Sequence, residues 1–130
     1  APAVRELPPG VHVLENRPLT PVSPKAAFTA RALVGLAAWP AAELVERLHA
    51  VLKSHQPPPD ASSEGEEFAR PKATEAACVH AGPYGTRSAT IVLVPQDGAT
   101  LPDVYAADGP PCTTPFRQET ALWDPPHTRG

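Results

Sequence analysis

The sequence has 130 residues, a formal net charge of −3 and 19 prolines, about three times the usual share of proline. That length suits one domain over residues 1–130. The absence of a Lys/Arg cluster excludes a nucleic-acid partner, because phosphates call for a concentrated cationic face. The longest strongly apolar run, residues 32–39, is far shorter than the roughly 20 residues of a membrane span, and nothing at the start reads as a signal peptide. Two cysteines, Cys78 and Cys112, form no disulfide framework, so reduced thiols and a cytoplasmic setting are expected. Arg outnumbers Lys eight to three, with abundant Ala and Pro, which suggests a GC-rich bacterial source.

After a proline-bounded lead-in, residues 11–14 read as a short strand following Gly10. Residues 16–22 form a turn holding Pro18 and Pro21. Ser23 is an N-cap, and Pro24 stands at the first helical position, where its missing N–H does no harm. Phe28, Ala32, Leu36 and Trp39 make one stripe of that first helix, which Gly35 weakens by roughly 1 kcal/mol and Pro40 ends. A second helix spans residues 41–54. Its apolar face is Leu44, Val45, Leu48, Val51 and Leu52, expected in the core. Glu43 and Arg47 pair four apart on its outer side.

Residues 56–72 combine Pro57-Pro58-Pro59 with Asp60, Glu64, Glu66 and Glu67. Such a stretch buries too little apolar surface to offset its ordering entropy and reads as a flexible loop. Strands follow at residues 76–80, 89–94, 103–107 and 115–123. They are separated by turns at Gly82-Pro83-Tyr84-Gly85 and Gln96-Asp97-Gly98 and by a break at Gly109-Pro110-Pro111. Strand, two helices and an antiparallel meander make an α+β layer structure, with two helices on one face of an antiparallel sheet.

Six residues are candidates for a site. Arg87, at a turn, offers a fork of donors to a carboxylate or carbonyl. Asn16, at the mouth of the first strand, can donate to a developing oxyanion. Tyr84 and Thr86 flank Arg87 and either line a pocket or shape the turn. His12 and His80 lie on strands leading to Asn16 and Arg87. Cys78 and His80, two apart, share a sheet face, which would give a thiol a neighbouring base. The five histidines show no linear metal-ligand spacing with the cysteines, so no metal is expected, and Gly82-Pro83-Tyr84-Gly85 does not match a phosphate loop.

Two stretches carry a family resemblance. They are Tyr84-Gly85-Thr86-Arg87-Ser88, running into Ala89-Thr90-Ile91-Val92-Leu93-Val94, and Val11-His12-Val13-Leu14-Glu15-Asn16-Arg17-Pro18-Leu19. From about Leu7 to Trp123 the sequence resembles the carboxy-terminal part of the NRDE family, also called transport and Golgi organisation protein 2. That family is similar in fold to the cysteine N-terminal-nucleophile (Ntn) hydrolases. The resemblance implies an Ntn-like αββα fold. It also implies an oxyanion role for Asn16 and a substrate-binding role for Arg87. Glu15 stands where a serine is usual, and Ser23 replaces a tryptophan.

The family's leading cysteine and Asn-Arg-Asp-Glu motif have no counterpart, residue 1 is Ala, and there is no Met. The sequence therefore reads as a processed or incomplete product, non-catalytic by itself. The implied role is binding or trafficking of a small hydrophobic or carboxylate-bearing ligand, haem or an acyl lipid. No cofactor beyond such haem is expected. The alternative is half of an Ntn amidohydrolase lacking its nucleophile. A complementary amino-terminal segment, or self-association, would then cover the open sheet.

Overall fold

The computed structural model describes residues 2–59 and 72–125. Most of the loop expected at 56–72 therefore lies outside the described residues. The fold is mixed α+β, with two α-helices and two small antiparallel sheets among the described residues.

Helix α1 spans Pro24–Ala32. Ser23 caps it as expected: its Oγ accepts from Ala26 N–H at 3.0 Å. The helix is shorter than its apolar stripe suggested. Leu33 caps its end, and Gly35, in the left-handed conformation at φ 78°, redirects the chain into a 3-10 turn at Leu36–Ala38. A second 3-10 turn at Ala41–Glu43 leads into α2, Leu44–Leu52. The Arg47–Glu43 pair forms at 2.8 Å with both side chains about half exposed, so it contributes only tenths of a kcal/mol. The guanidinium of Arg47 also lies 5.2 Å from the Trp39 ring centroid.

The apolar face of α2 is only half-buried, contrary to the expectation that it forms the core. The buried residues are instead Ala26, Pro58, Ala76, Cys78, Val79, Ile91, Val104, Ala107 and Pro111, with Glu75 the charged one among them. Three of these, Ala76, Cys78 and Val79, fall in residues 76–79, which are not a strand as expected. The backbone polar groups of Cys78 and Val79 are satisfied from outside any ladder. Cys78 N–H donates to Ser54 O at 2.9 Å, just beyond α2. Nδ1–H of His55 donates to Cys78 O at 3.1 Å. Val79 N–H donates to Thr86 Oγ1 at 2.9 Å, and Val79 O accepts from Thr86 N–H at 2.9 Å. With partners drawn from a helix end and a side chain, the segment cannot run as regular β-structure.

Regular pairing starts at β1, His80–Ala81, joined to β2, Tyr84–Gly85, through Gly82-Pro83. Gly82 at φ 62° supplies the left-handed first turn position, and the proline takes the second. A separate sheet has the order β3-β4-β5, with β3 at Ala89–Leu93, β4 at Asp103–Ala107 and β5 at Arg117–Gln118. The expected single meander is thus divided in two, and the last strand is two residues long before a 3-10 turn at Ala121–Trp123. In β3, Ala89, Ile91 and Leu93 turn inward while Thr90 and Val92 are exposed, the alternation of a one-sided sheet. Ile91 pairs with Tyr105 and Ala89 with Ala107. Helix α2 packs on β3, and His49 meets the Phe116 ring edge-on at 4.6 Å while bonding Pro111 O at 2.8 Å.

The region expected as a first strand, residues 11–14, is irregular. Only a bridge between Glu15 and Arg17 forms there. Side-chain alternation without a neighbouring strand to pair with does not make a strand. Among the described residues no helix is long and apolar enough to cross a membrane.

Two measurements probe this arrangement. A Cβ on Gly85 would stand 2.9 Å from the backbone oxygen of Val79, which is already held by Thr86. Gly85→Ala is expected to cost about 1–3 kcal/mol in urea unfolding, since a backbone atom cannot yield as a side chain does. In the turn after β3, the hydroxyl of Thr100 and then the N–H groups of Thr100 and Ala99 hold the exposed Asp97 carboxyl below its ordinary 3.8. A lowered carboxyl pKa means the turn's extra stability is present above that value and is lost as pH falls through the folded one. The Ala99 and Thr100 amide resonances should shift with a midpoint below 3.8, and Asp97→Asn should remove that titration.

Candidate functional site

The N-terminal turn, α1 and the start of the buried segment enclose a cleft of about 520 Å³. Its volume falls within the roughly 300–1,000 Å³ of small-molecule sites. Leu14, Asn16 and Arg17 line one side, Lys25 of α1 joins them, and Thr74, Glu75, Val79 and Tyr84 face them. Glu75 closes the 3-10 turn Lys72–Glu75 and is the buried charged residue of the described core, 8% exposed. A carboxylate at that depth needs a partner, and Arg17 Nη2 donates to its Oε1 at 2.7 Å. Lys25 Nζ donates to Thr74 O at 3.1 Å, which leaves two of its three donors for other acceptors.

The structure treats the expected site residues differently. Asn16 and Tyr84 line this cleft together, although 68 positions separate them. Arg87 is exposed beyond β2 and is not among the lining residues. The guanidinium in the cleft belongs to Arg17. Thr86 shapes the hairpin through its hydroxyl bond with Val79 N–H. His12 lies on irregular chain, where its Nε2–H donates to Pro8 O at 2.6 Å, and it lines a different depression near Leu7 and Val22. His80 opens β1 and turns to a second cluster.

That cluster gathers His55, Cys78, His80 and Cys112, each offering one ligand atom within 4.8 Å of the others. Nε2 of His80 lies 3.1 Å from Cys112 Sγ and 3.8 Å from Cys78 Sγ. The His55 and His80 rings are 4.8 Å apart between centroids. Both cysteines are free. Burial, and after it the hydrogen bond with Cys112, pushes the Cys78 thiol above its ordinary value. A buried thiol with a raised pKa ionises less readily than a free one. The sequence did indicate that Cys78 and His80 share a face. It had no signal for His55 and Cys112, which the end of α2 and the turn after β4 bring in.

A family model described as Transport and Golgi organisation 2 matches residues 1–101, and the chain belongs to that family. The match stops before β4, short of the resemblance read as far as Trp123. Neither the curated proteins nor the solved structures include a match to this chain.

The Arg17–Glu75 pair should behave as a local necessity more than a net gain. Arg17→Ala leaves a buried carboxylate unpaired and is expected to cost about 1.5–3 kcal/mol in urea unfolding. Adding Glu75→Gln should recover part of that loss, because the charge is removed with its partner. Losses that simply add in the double variant would contradict the pairing.

Proposed function

We infer that this Transport and Golgi organisation-type chain binds a small apolar molecule bearing an anionic group, of the haem or acyl-lipid kind, and does so without catalysing its turnover. The observation that carries this reading is the cleft around Asn16. Leu14, Val79 and the Tyr84 ring supply apolar wall. Arg17 is engaged by Glu75 and serves to hold one wall in place. Lys25 keeps unspent donors and a positive charge for a carboxylate or phosphate. The Asn16 amide, with both donor and acceptor groups, can orient a polar head. Free thiols at Cys78 and Cys112 support a reducing, cytoplasmic setting. The outer edge of β3, an end strand of its sheet, supports a partner there, either a complementary segment of chain or a second copy.

A second reading, acyl transfer with Asn16 as oxyanion donor, is favoured by the same placement of Asn16 in the cleft. The two readings separate in one series of experiments. Haemin and a long-chain acyl-CoA are titrated into the chain by fluorescence quenching. Saturable binding of at least one is expected, weakened about tenfold or more by Lys25→Ala, the loss of one charge-assisted hydrogen bond. Arg87→Ala, which removes a cation outside the cleft lining, should leave affinity within about twofold. Absence of saturable binding, or equal affinity in Lys25→Ala and Asn16→Ala, would sink the binding reading. Hydrolysis of penicillin V or a bile-salt amide, lost in Asn16→Ala, would establish the second.

A further inference from the structure

The thiol–imidazole cluster has the composition and spacing of a metal centre. From His55, Cys78, His80 and Cys112 we propose a structural zinc site that ties the end of α2, the β1–β2 hairpin and the turn after β4 into one unit. Zinc held by two thiolates and two imidazoles is tetrahedral, with bonds near 2.3 Å to sulfur and 2.0–2.1 Å to nitrogen, so a sulfur and a nitrogen ligand stand about 3.6 Å apart. The two sulfur–nitrogen distances at His80, 3.1 and 3.8 Å, bracket that value. All four donor atoms already lie within 4.8 Å of one another, and binding would close the remainder by side-chain rotation.

The surroundings complete the site. A backbone carbonyl only accepts, so the 3.1 Å bond from His55 Nδ1 to Cys78 O puts the proton on Nδ1 and leaves Nε2 as the lone-pair nitrogen. This is the outer-shell bond that orients a metal-binding histidine. Cys78 is held in turn by its N–H bond to Ser54 O at 2.9 Å. Binding would release the two thiol protons to solvent. The dication with two thiolates and two neutral rings is then formally uncharged, which suits a partly buried position. Soft thiolates beside imidazoles select zinc over the oxygen-seeking divalent ions. Four protein ligands fill the coordination sphere, so the metal acts as a staple and not as a Lewis acid.

The fold has reason to use such a staple. No residue of α2 is buried, and the described core is small. Small scaffolds of that kind commonly add a metal or a disulfide. Three of the ligands lie inside the family match and Cys112 lies beyond it, so the site joins residues 1–101 to the strands that follow.

The test is metal content and cobalt spectroscopy on the full chain, expressed with zinc and kept reduced. About one equivalent of zinc per chain is expected to survive dialysis. After chelation, cobalt(II) should give the intense visible bands and thiolate charge-transfer absorption of a tetrahedral two-thiolate centre. Cys112→Ser and His55→Ala each replace a ligand outside the buried core, and each should lose zinc and the charge-transfer intensity. His12→Ala should keep both. Chelation should lower the melting temperature reversibly. Three results would overturn the site: a folded, reduced chain, confirmed by circular dichroism, that retains no zinc and gives no tetrahedral cobalt spectrum; a spectrum unchanged in Cys112→Ser; or a Cys78–Cys112 disulfide found by mass spectrometry in protein made in the presence of zinc. If both variants fail to fold, the wild-type stoichiometry and cobalt spectrum decide.

Discussion

The molecule depends on how a run of four residues, 76–79, three of them buried, satisfies its backbone. The segment is the densest part of the described core, yet it belongs to no sheet. Its hydrogen bonds come from Ser54 and His55 at the end of α2 on one side and from Thr86 beyond β2 on the other. Each bond replaces one that water would otherwise supply, and a buried backbone group left unmade costs about 1–3 kcal/mol. The segment is therefore bound to two elements distant in sequence. Because the backbone is clamped, the side chains of this short run are delivered to fixed places. Glu75 and Val79 go to the cleft, Ala77 to the apolar groove between α1 and α2, and Cys78 to the thiol–imidazole cluster.

The same constraint explains why an irregular N-terminal region can help form a site. Residues 11–14 lack a strand partner, and the Glu15–Arg17 bridge alone would be a weak anchor. What fastens that region is the 2.7 Å bond from Arg17 to Glu75, which sits immediately before the clamped segment. The pair spans 58 residues, and its acidic member is held where water is scarce. Its value is positional. It brings Asn16 alongside Lys25 and opposite Tyr84, whereas an apolar pair of the same volume could be equally stable but would set no polar register.

Local chemistry was legible in the sequence and long-range chemistry was not. The Ser23-Pro24 cap, the β4 strand and the Asp97-Gly98 turn follow from residue types a few positions apart, and the structure forms all three. Gly35 was visible as a weak point, but propensity alone underrated it. The helix stops at Ala32 with Leu33 as its cap, and Gly35 at φ 78° turns the chain away three residues later. The strand expected at 11–14 failed because alternation describes a face, while a strand also needs a neighbour. Asn16 and Tyr84 reach one cleft through the resemblance that singled out their two stretches. Arg17 stood beside Asn16 in the same motif, and only the position of Glu75 distinguishes it from Arg87 as the cleft's guanidinium. For the cluster, the Cys78–His80 spacing was the one readable clue, since His55 and Cys112 are 57 positions apart.

The cleft and the cluster are consequently two faces of one strut. Val79 walls the cleft, and its N–H and carbonyl are both bound by Thr86 in the hairpin that carries His80. Cys78, one residue earlier, has its carbonyl held by the ring of His55. A change that repositions Cys78 must pull on Val79 through a single peptide unit, whose planarity transmits rotation instead of absorbing it. Substitutions in the cluster should therefore be read in the cleft as well, and a loss of ligand affinity in a Cys78 variant would not by itself place that thiol at the ligand. Cys112 joins the cluster from the turn after β4 and bonds to the Cys78 thiol through both its side chain and its backbone, so it too is coupled to the strut.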